Sequence, residues 1–171
     1  MSKVLGVDPG MHETGWAVLD GAAASPRLLA SGCIRTLPGR PLPERLKDIH
    51  AGLGAVLAEH APDACAMEEM FFTTIANTVR ATLQARGVAL LAVAQSGREV
   101  HEYNPKTVKL ALTGSGRAEK AQMQTMVQKA LGLAEKLRPN DVADAAAIAL
   151  CHLRSGRMKG LHVLDAWGGR R

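Results

Sequence analysis

Aromatic side chains are almost missing from this chain. Phe, Trp and Tyr make up 3% of its 171 residues, as two Phe, two Trp and one Tyr. A core must therefore be assembled from Ala, Leu and Val. Cysteine is scarce too. Cys33, Cys65 and Cys151 are odd in number and show no C-x-x-C spacing. That argues against a disulfide framework or a zinc site and for free thiols in a reducing cytoplasm. No apolar run reaches the roughly 20 residues of a membrane span, and residues 1–10 lack the layout of a secretory signal. The G-x-x-x-x-G-K-[ST] and G-x-S-x-G patterns are absent, so neither a P-loop nor a hydrolase elbow is present. Tyr103, the sole tyrosine, sits in a strand-like run, which argues against a tyrosine-linked intermediate. His12, His50, His60, His101 and His152 are scattered and suggest surface or satisfied histidines.

What is present is a globular chain, 47% hydrophobic, of a length that fits one domain. Its formal charge of +5 points to an acidic partner such as nucleic acid.

Residues 3–10, K-V-L-G-V-D-P-G, organise the rest. Val4, Leu5 and Val7 make a short buried strand, Gly6 admits a close backbone, and Asp8 ends the run before the Pro9-Gly10 turn. Residues 14–20 and 27–36 supply two more strands, together an antiparallel meander. Leu42, Leu46, Ile49, Leu53, Val56 and Leu57 then recur at helical steps, and Pro41 and Pro43 mark the helix start. Residues 64–69 read as a fourth strand ending in Glu68 and Glu69. Phe71 and Phe72 follow in a polar, Thr-rich connection. A long Ala-rich helix spans 75–95, with Asn77, Arg80, Gln84 and Arg86 on polar positions and Gly87 marking close packing. A fifth strand covers 99–103, and helices cover 104–112 and 118–131. Asn140 caps a last helix from 141 to about 153. The class is α/β, a mixed sheet with helices on both faces. It occupies residues 1–154, and a Gly- and Arg-rich tail, 155–171, is expected to be partly disordered.

Four acids fall at strand ends or helix starts. Asp before Pro-Gly is ordinary turn chemistry, and Asp141 and Asp144 in a first helical turn complement the helix dipole. Yet those two share one face of the helix, and residues 145–150, A-A-A-I-A-L, make that helix buried. Adjacent carboxylates there repel unless a cation lies between them. Asp8, Glu68, Asp141 and Asp144 therefore form a candidate set of hard oxygen ligands for Mg²⁺ or Mn²⁺. Two such ions would align a water and stabilise the leaving oxygen in phosphodiester hydrolysis. Spacing alone does not choose between Glu68 and Glu69. Between 98 and 138, Arg98, Lys106, Lys109, Arg117, Lys120, Lys129, Lys136 and Arg138 outnumber the acids, as phosphate contacts require.

With these residues assembled, the sequence resembles the RuvC family of crossover junction endodeoxyribonucleases. The matching segments are G-V-D-P-G with T-G-W-A-V, S-G-C-I-R-T, L-P-E-R-L, A-M-E-E-M-F, Q-A-R-G-V-A, S-G-R-A-E-K-A-Q-M and D-V-A-D-A-A-A-I-A. They run in family order through most of the chain. The resemblance implies a ribonuclease-H-like fold with three antiparallel strands and two more parallel to the first. It implies a homodimer that cuts four-way (Holliday) DNA junctions by paired nicks in recombination and repair, leaving 5′-phosphate and 3′-hydroxyl ends. It also implies Mg²⁺, with Mn²⁺ as the alternative and two ions per site, and work alongside the RuvA and RuvB branch-migration proteins. The family's metal-binding, catalytic acids fall on Asp8, Glu68, Asp141 and Asp144, its junction-probing aromatic on Phe71 beside Phe72, and its phosphate-associated lysines on Lys109 and Lys120, with Arg117 nearby. The helix from about residue 75 resembles the family's dimer-forming helix.

Other readings make separate demands. A non-catalytic junction binder predicts loss of an acid, and all four are present. An ATP binder built on the D-P-G turn needs a second domain, for which the chain has no room. A ribonuclease on the same fold is separated only by its substrate.

Overall fold

Strand β1 (Ser2–Asp8) pairs antiparallel with β2 (Glu13–Gly21), and β2 with β3 (Arg27–Arg35). These come from a computed structural model that describes residues 2–70 and 77–158. Helix α1 (Leu42–His60) leads into β4 (Ala64–Glu68), which lies parallel to β1. Helix α2 (Asn77–Gln95) leads into β5 (Glu99–Tyr103), parallel to β4. Helices α3 (Pro105–Thr113), α4 (Lys120–Ala130) and α5 (Asn140–Met158) complete the chain. The sheet order is β3-β2-β1-β4-β5. This is the expected mixed five-stranded sheet of a ribonuclease-H-like fold.

Strand alternation divides the core in two. Leu5, Val7, Cys65 and Met67 face α1 and α2, where Ile49, Leu53, Ala89 and Val93 cover them. Val4 and Ala66 face α3, α4 and α5, packing with Val108, Val127, Ala145 and Ile148. The small residues of α5 let it lie close on the strands. A side chain on Gly6 would strike the carbonyl of Ala145, so that approach needs glycine.

Several expectations are revised. Arg86 is not on a polar helix face; it is 8% exposed. It stands three and seven residues before Ala89 and Val93, so it falls on the buried stripe. Among the described residues nothing lies within 4 Å of where a side chain on Gly87 would go, so close packing against them does not explain it. Asn140 begins α5 rather than capping it, and its side-chain oxygen accepts a hydrogen bond from Gln124 at 2.7 Å. Helix α5 continues to Met158, past the expected end near residue 153. Cys33, Cys65 and Cys151 are free thiols. Among the described residues no helix is long and apolar enough to cross a membrane.

Candidate active site

Alternation also fixes which acids face the last helix. Asp8 follows Val4 and Gly6 on the α5 side of β1, and Glu68 follows Ala66 on the α5 side of β4. Glu69 has the opposite parity, and its backbone N–H donates to the Tyr103 carbonyl at 2.8 Å. Glu68 thus stands on the Asp8 side of the sheet and lines the same cleft.

Helix α5 brings Asp141 and Asp144 to the mouth of β1. Carboxylate oxygens of Asp8, Asp141 and Asp144 lie within 4.8 Å of one another. Glu68 stands outside that group but lines the same cleft, of about 320 Å³, with Asp8, Lys109, Lys120 and Asp144. Burial pushes the Asp8 carboxyl from its ordinary 3.8 up to about 7, and repulsion from Asp144, Asp141 and Glu68 adds to it against the pull of Lys120. Glu68 is raised by burial and by Asp144, with Lys109, Arg86 and Lys120 opposing. Asp141 is raised chiefly by burial. The Lys120 ammonium lies 2.8 Å from Asp144, and that hydrogen bond holds its proton more tightly.

Converging carboxylates that are hard to ionise together, with one lysine in direct contact among the described residues, fit a divalent cation. The set is all oxygen, as a hard ion prefers.

The turn after Asp8 is held from outside. The Thr36 hydroxyl donates to the Met11 carbonyl at 2.5 Å, and Arg45 donates to that same carbonyl at 2.9 Å and to Thr36 Oγ1 at 2.8 Å. Thr14 Oγ1 donates to the Gly10 carbonyl at 2.8 Å. The residue-level reading missed these supports. The segments S-G-C-I-R-T and L-P-E-R-L carried the signal, since each keeps a polar residue, Thr36 and Arg45, where the strand or helix pattern does not need one. Glu13 was also missed. It accepts a hydrogen bond from Arg35 Nε at 2.9 Å and lines a surface pocket together with Asp141.

The basic residues divide. Lys109 and Lys120 line the cleft, whereas Arg117 is exposed on the loop between α3 and α4. Phe71 and Phe72 lie outside the described residues.

Comparison with known proteins agrees with this geometry. Residues 4–152 match the family model described as crossover junction endodeoxyribonuclease RuvC. A Chloroflexus aurantiacus protein of that name is 49% identical over 150 residues, covering 88% of this chain and 92% of its own. The structure of Thermus thermophilus RuvC in complex with a Holliday junction substrate superposes with a TM-score of 0.88 at 39% identity, covering 93% of this chain and 97% of that one. The yeast mitochondrial Holliday junction resolvase Ydc2 shares the fold, with a TM-score of 0.68 at 14% identity over 94% of this chain and 81% of its own. From its sequence and its fold, the chain belongs to the RuvC family of crossover junction endodeoxyribonucleases.

Proposed function

We propose that this protein resolves four-way DNA junctions by metal-dependent, paired hydrolytic nicks. The observation that carries the reading is the meeting of Asp8, Asp141 and Asp144 within 4.8 Å in a cleft that also holds Glu68 and two lysines. The Thermus relative, whose structure is a complex with a Holliday junction substrate, points to the substrate class.

Asp8, Glu68, Asp141 and Asp144 would hold Mg²⁺, or Mn²⁺, as one or two ions. When bound, such ions ease deprotonation of a water and neutralise charge on the phosphoryl oxygens. The chain's own residues do the rest. The strand ends fix Asp8 and Glu68, and the first turn of α5 fixes Asp141 and Asp144, so the ligand set is preorganised. Lys109 and Lys120, on α3 and α4, offer positive charge to the backbone phosphate, and Lys120 already offsets Asp144. Water attacks phosphorus, the bond to the 3′ oxygen breaks, and that oxygen takes a proton. A 5′-phosphate and a 3′-hydroxyl result, ends that a ligase can join.

A junction presents two equivalent strands, so a two-fold dimer with two sites suits paired nicking. Helix α2 carries an exposed apolar stripe in Leu83 and Leu91, with Gly87 open between them. Four-residue spacing puts the three on one face, and a second copy of the chain is the occupant we assign to it. Phe71, with Phe72, acts as an apolar wedge against the bases at the crossover, and Arg117 adds a phosphate contact. The partners are RuvA- and RuvB-type branch-migration proteins, and the compartment is the cytoplasm.

The test is incubation of the purified protein with a synthetic mobile junction, linear duplex and matched RNA, in Mg²⁺, Mn²⁺ and EDTA, with Phe71→Ala alongside. Symmetric nicks confined to the DNA junction and sealed by ligase are expected, slower in Phe71→Ala at an unchanged melting temperature. Cutting of RNA in preference to the junction would redirect the reading to a ribonuclease.

A further inference from the structure

Arg86 is a buried cation on the side of the sheet away from the acid cluster. Its guanidinium presents a rigid fork of donors. A buried charge of this kind persists only when it is paired and hydrogen-bonded. Its side chain is 9% exposed. Nη1 donates to the backbone carbonyl of Glu68 at 2.6 Å, and Nη2 pairs with the carboxylate of Glu102.

Both partners sit at the end of the parallel strands where Glu68 is presented. Met67 is opposite Glu102, and Glu68 opposite Tyr103, in the β4–β5 register. The β1–β4 register stops one residue earlier, at Val7 and Met67. Glu68 is therefore the first residue of β4 beyond its pairing with β1. Its carbonyl is held by Arg86, and the next N–H, that of Glu69, is held by Tyr103. The peptide unit between them is planar, so fixing both groups fixes the turn of the chain at Glu68 and the direction of its side chain.

We propose that Arg86 is a positioning residue for the reaction: by gripping the Glu68 carbonyl from the α2 side, braced by Glu102, it sets the Glu68 carboxylate toward the divalent cation on the α5 side. This rests on the reading of Glu68 as a metal ligand. Arg86 touches neither the cleft nor the acids' carboxylates, and acts through the strand end.

The experiment compares wild type with Arg86→Lys, Glu102→Gln and the control Glu68→Gln. It reads Mn²⁺ binding to the metal-free protein by calorimetry and the Mg²⁺ dependence of single-turnover cutting of bound junction, with melting temperature alongside. Lysine keeps the charge but not the fork. Arg86→Lys should weaken Mn²⁺ binding and raise the half-saturating Mg²⁺ about ten-fold, as loss of outer-shell support does. Excess Mg²⁺ should recover part of the rate. Glu102→Gln should shift both readouts the same way by a smaller factor. A folded Arg86→Lys with wild-type Mn²⁺ affinity and Mg²⁺ dependence overturns the proposal, even if its melting temperature falls, because it returns Arg86 to packing. Should Arg86→Lys fail to fold, Glu102→Gln decides by the same two readouts. If Glu68→Gln binds Mn²⁺ as wild type does, Glu68 is not a ligand, and the proposal fails with that assignment.

Discussion

Gly15 stands opposite Asp8 in the β1–β2 register, and the carbonyl of Asp141 rests where a side chain on Gly15 would be. This glycine of β2 thus sets how closely the start of the last helix lies on the sheet beside Asp8, and with it the distance between two of the acids. The obstacle is backbone on both sides, so neither element yields without moving whole. Gly15→Ala should cost about 3 kcal/mol of stability, at the upper end of overpacking effects, and cutting should fall further because Asp141 is lifted away from Asp8. Denaturant unfolding and single-turnover cutting check this; wild-type values in both would remove Gly15 from the account.

Repulsion among the acids makes the metal-free protein pH-sensitive. Asp8 has its folded value raised from 3.8 to about 7. Across that window the unfolded chain gives up its proton while the folded protein keeps it. The folded state binds more protons, so stability falls as pH rises from about 4 to about 7 and levels off above. Glu68 and Asp141, also raised, act in the same direction. Asp8→Asn should therefore melt higher than wild type at about pH 8 without metal, by on the order of a few kcal/mol, and the advantage should vanish near pH 4. Mg²⁺ should stabilise wild type more at the higher pH, because its ligands must be ionised. Melting curves with and without Mg²⁺ across this range decide it, and a pH-independent difference between the two proteins would contradict it.

Lys120 reaches Asp144 from a half-exposed position, 56% accessible. An ion pair of that kind contributes little to folding, so its value lies in the reaction. Lys120→Ala should slow single-turnover cutting about a hundred-fold, within the range for a positioned catalytic group, while stability changes by no more than about 0.5 kcal/mol. An unchanged rate would leave Lys120 as surface charge only.

The stripe on α2 makes a prediction about assembly. Leu83 and Leu91 are 40% and 51% exposed. A buried aspartate at either position would be left unpaired. Leu91→Asp should give a folded monomer by light scattering. On a junction it should make isolated nicks in place of paired ones. A dimer of unchanged mass would move the interface elsewhere.

Much of this was legible because the chain is locally consistent. Short apolar runs bounded by turns point to the strands, apolar residues at three- and four-residue steps point to α1, and the acids stand where strands end and helices begin. What was not legible depended on the far side of a contact. Arg86 resembles any helix-surface arginine until Glu68 and Glu102 are placed above it. Gly87 suggests close packing, yet its space is open among the described residues. Thr36, Arg45 and Glu13 act on residues distant in sequence, and no periodicity records that. Spacing does not tell Glu68 from Glu69; the family motif points to Glu68, and β4 places that residue in the cleft beside Asp8.

The account's central claim is that Asp8, held at the end of β1 against Asp141 and Asp144, is part of the cutting machinery rather than only the start of a turn. The most direct test is single-turnover cutting of a bound four-way junction by Asp8→Asn in saturating Mg²⁺, with junction affinity measured on the same preparation. The account predicts unchanged or tighter binding and a rate reduced at least a thousand-fold, equivalent to about 4 kcal/mol of transition-state stabilisation. Cutting at the wild-type rate would contradict it and return Asp8 to turn chemistry.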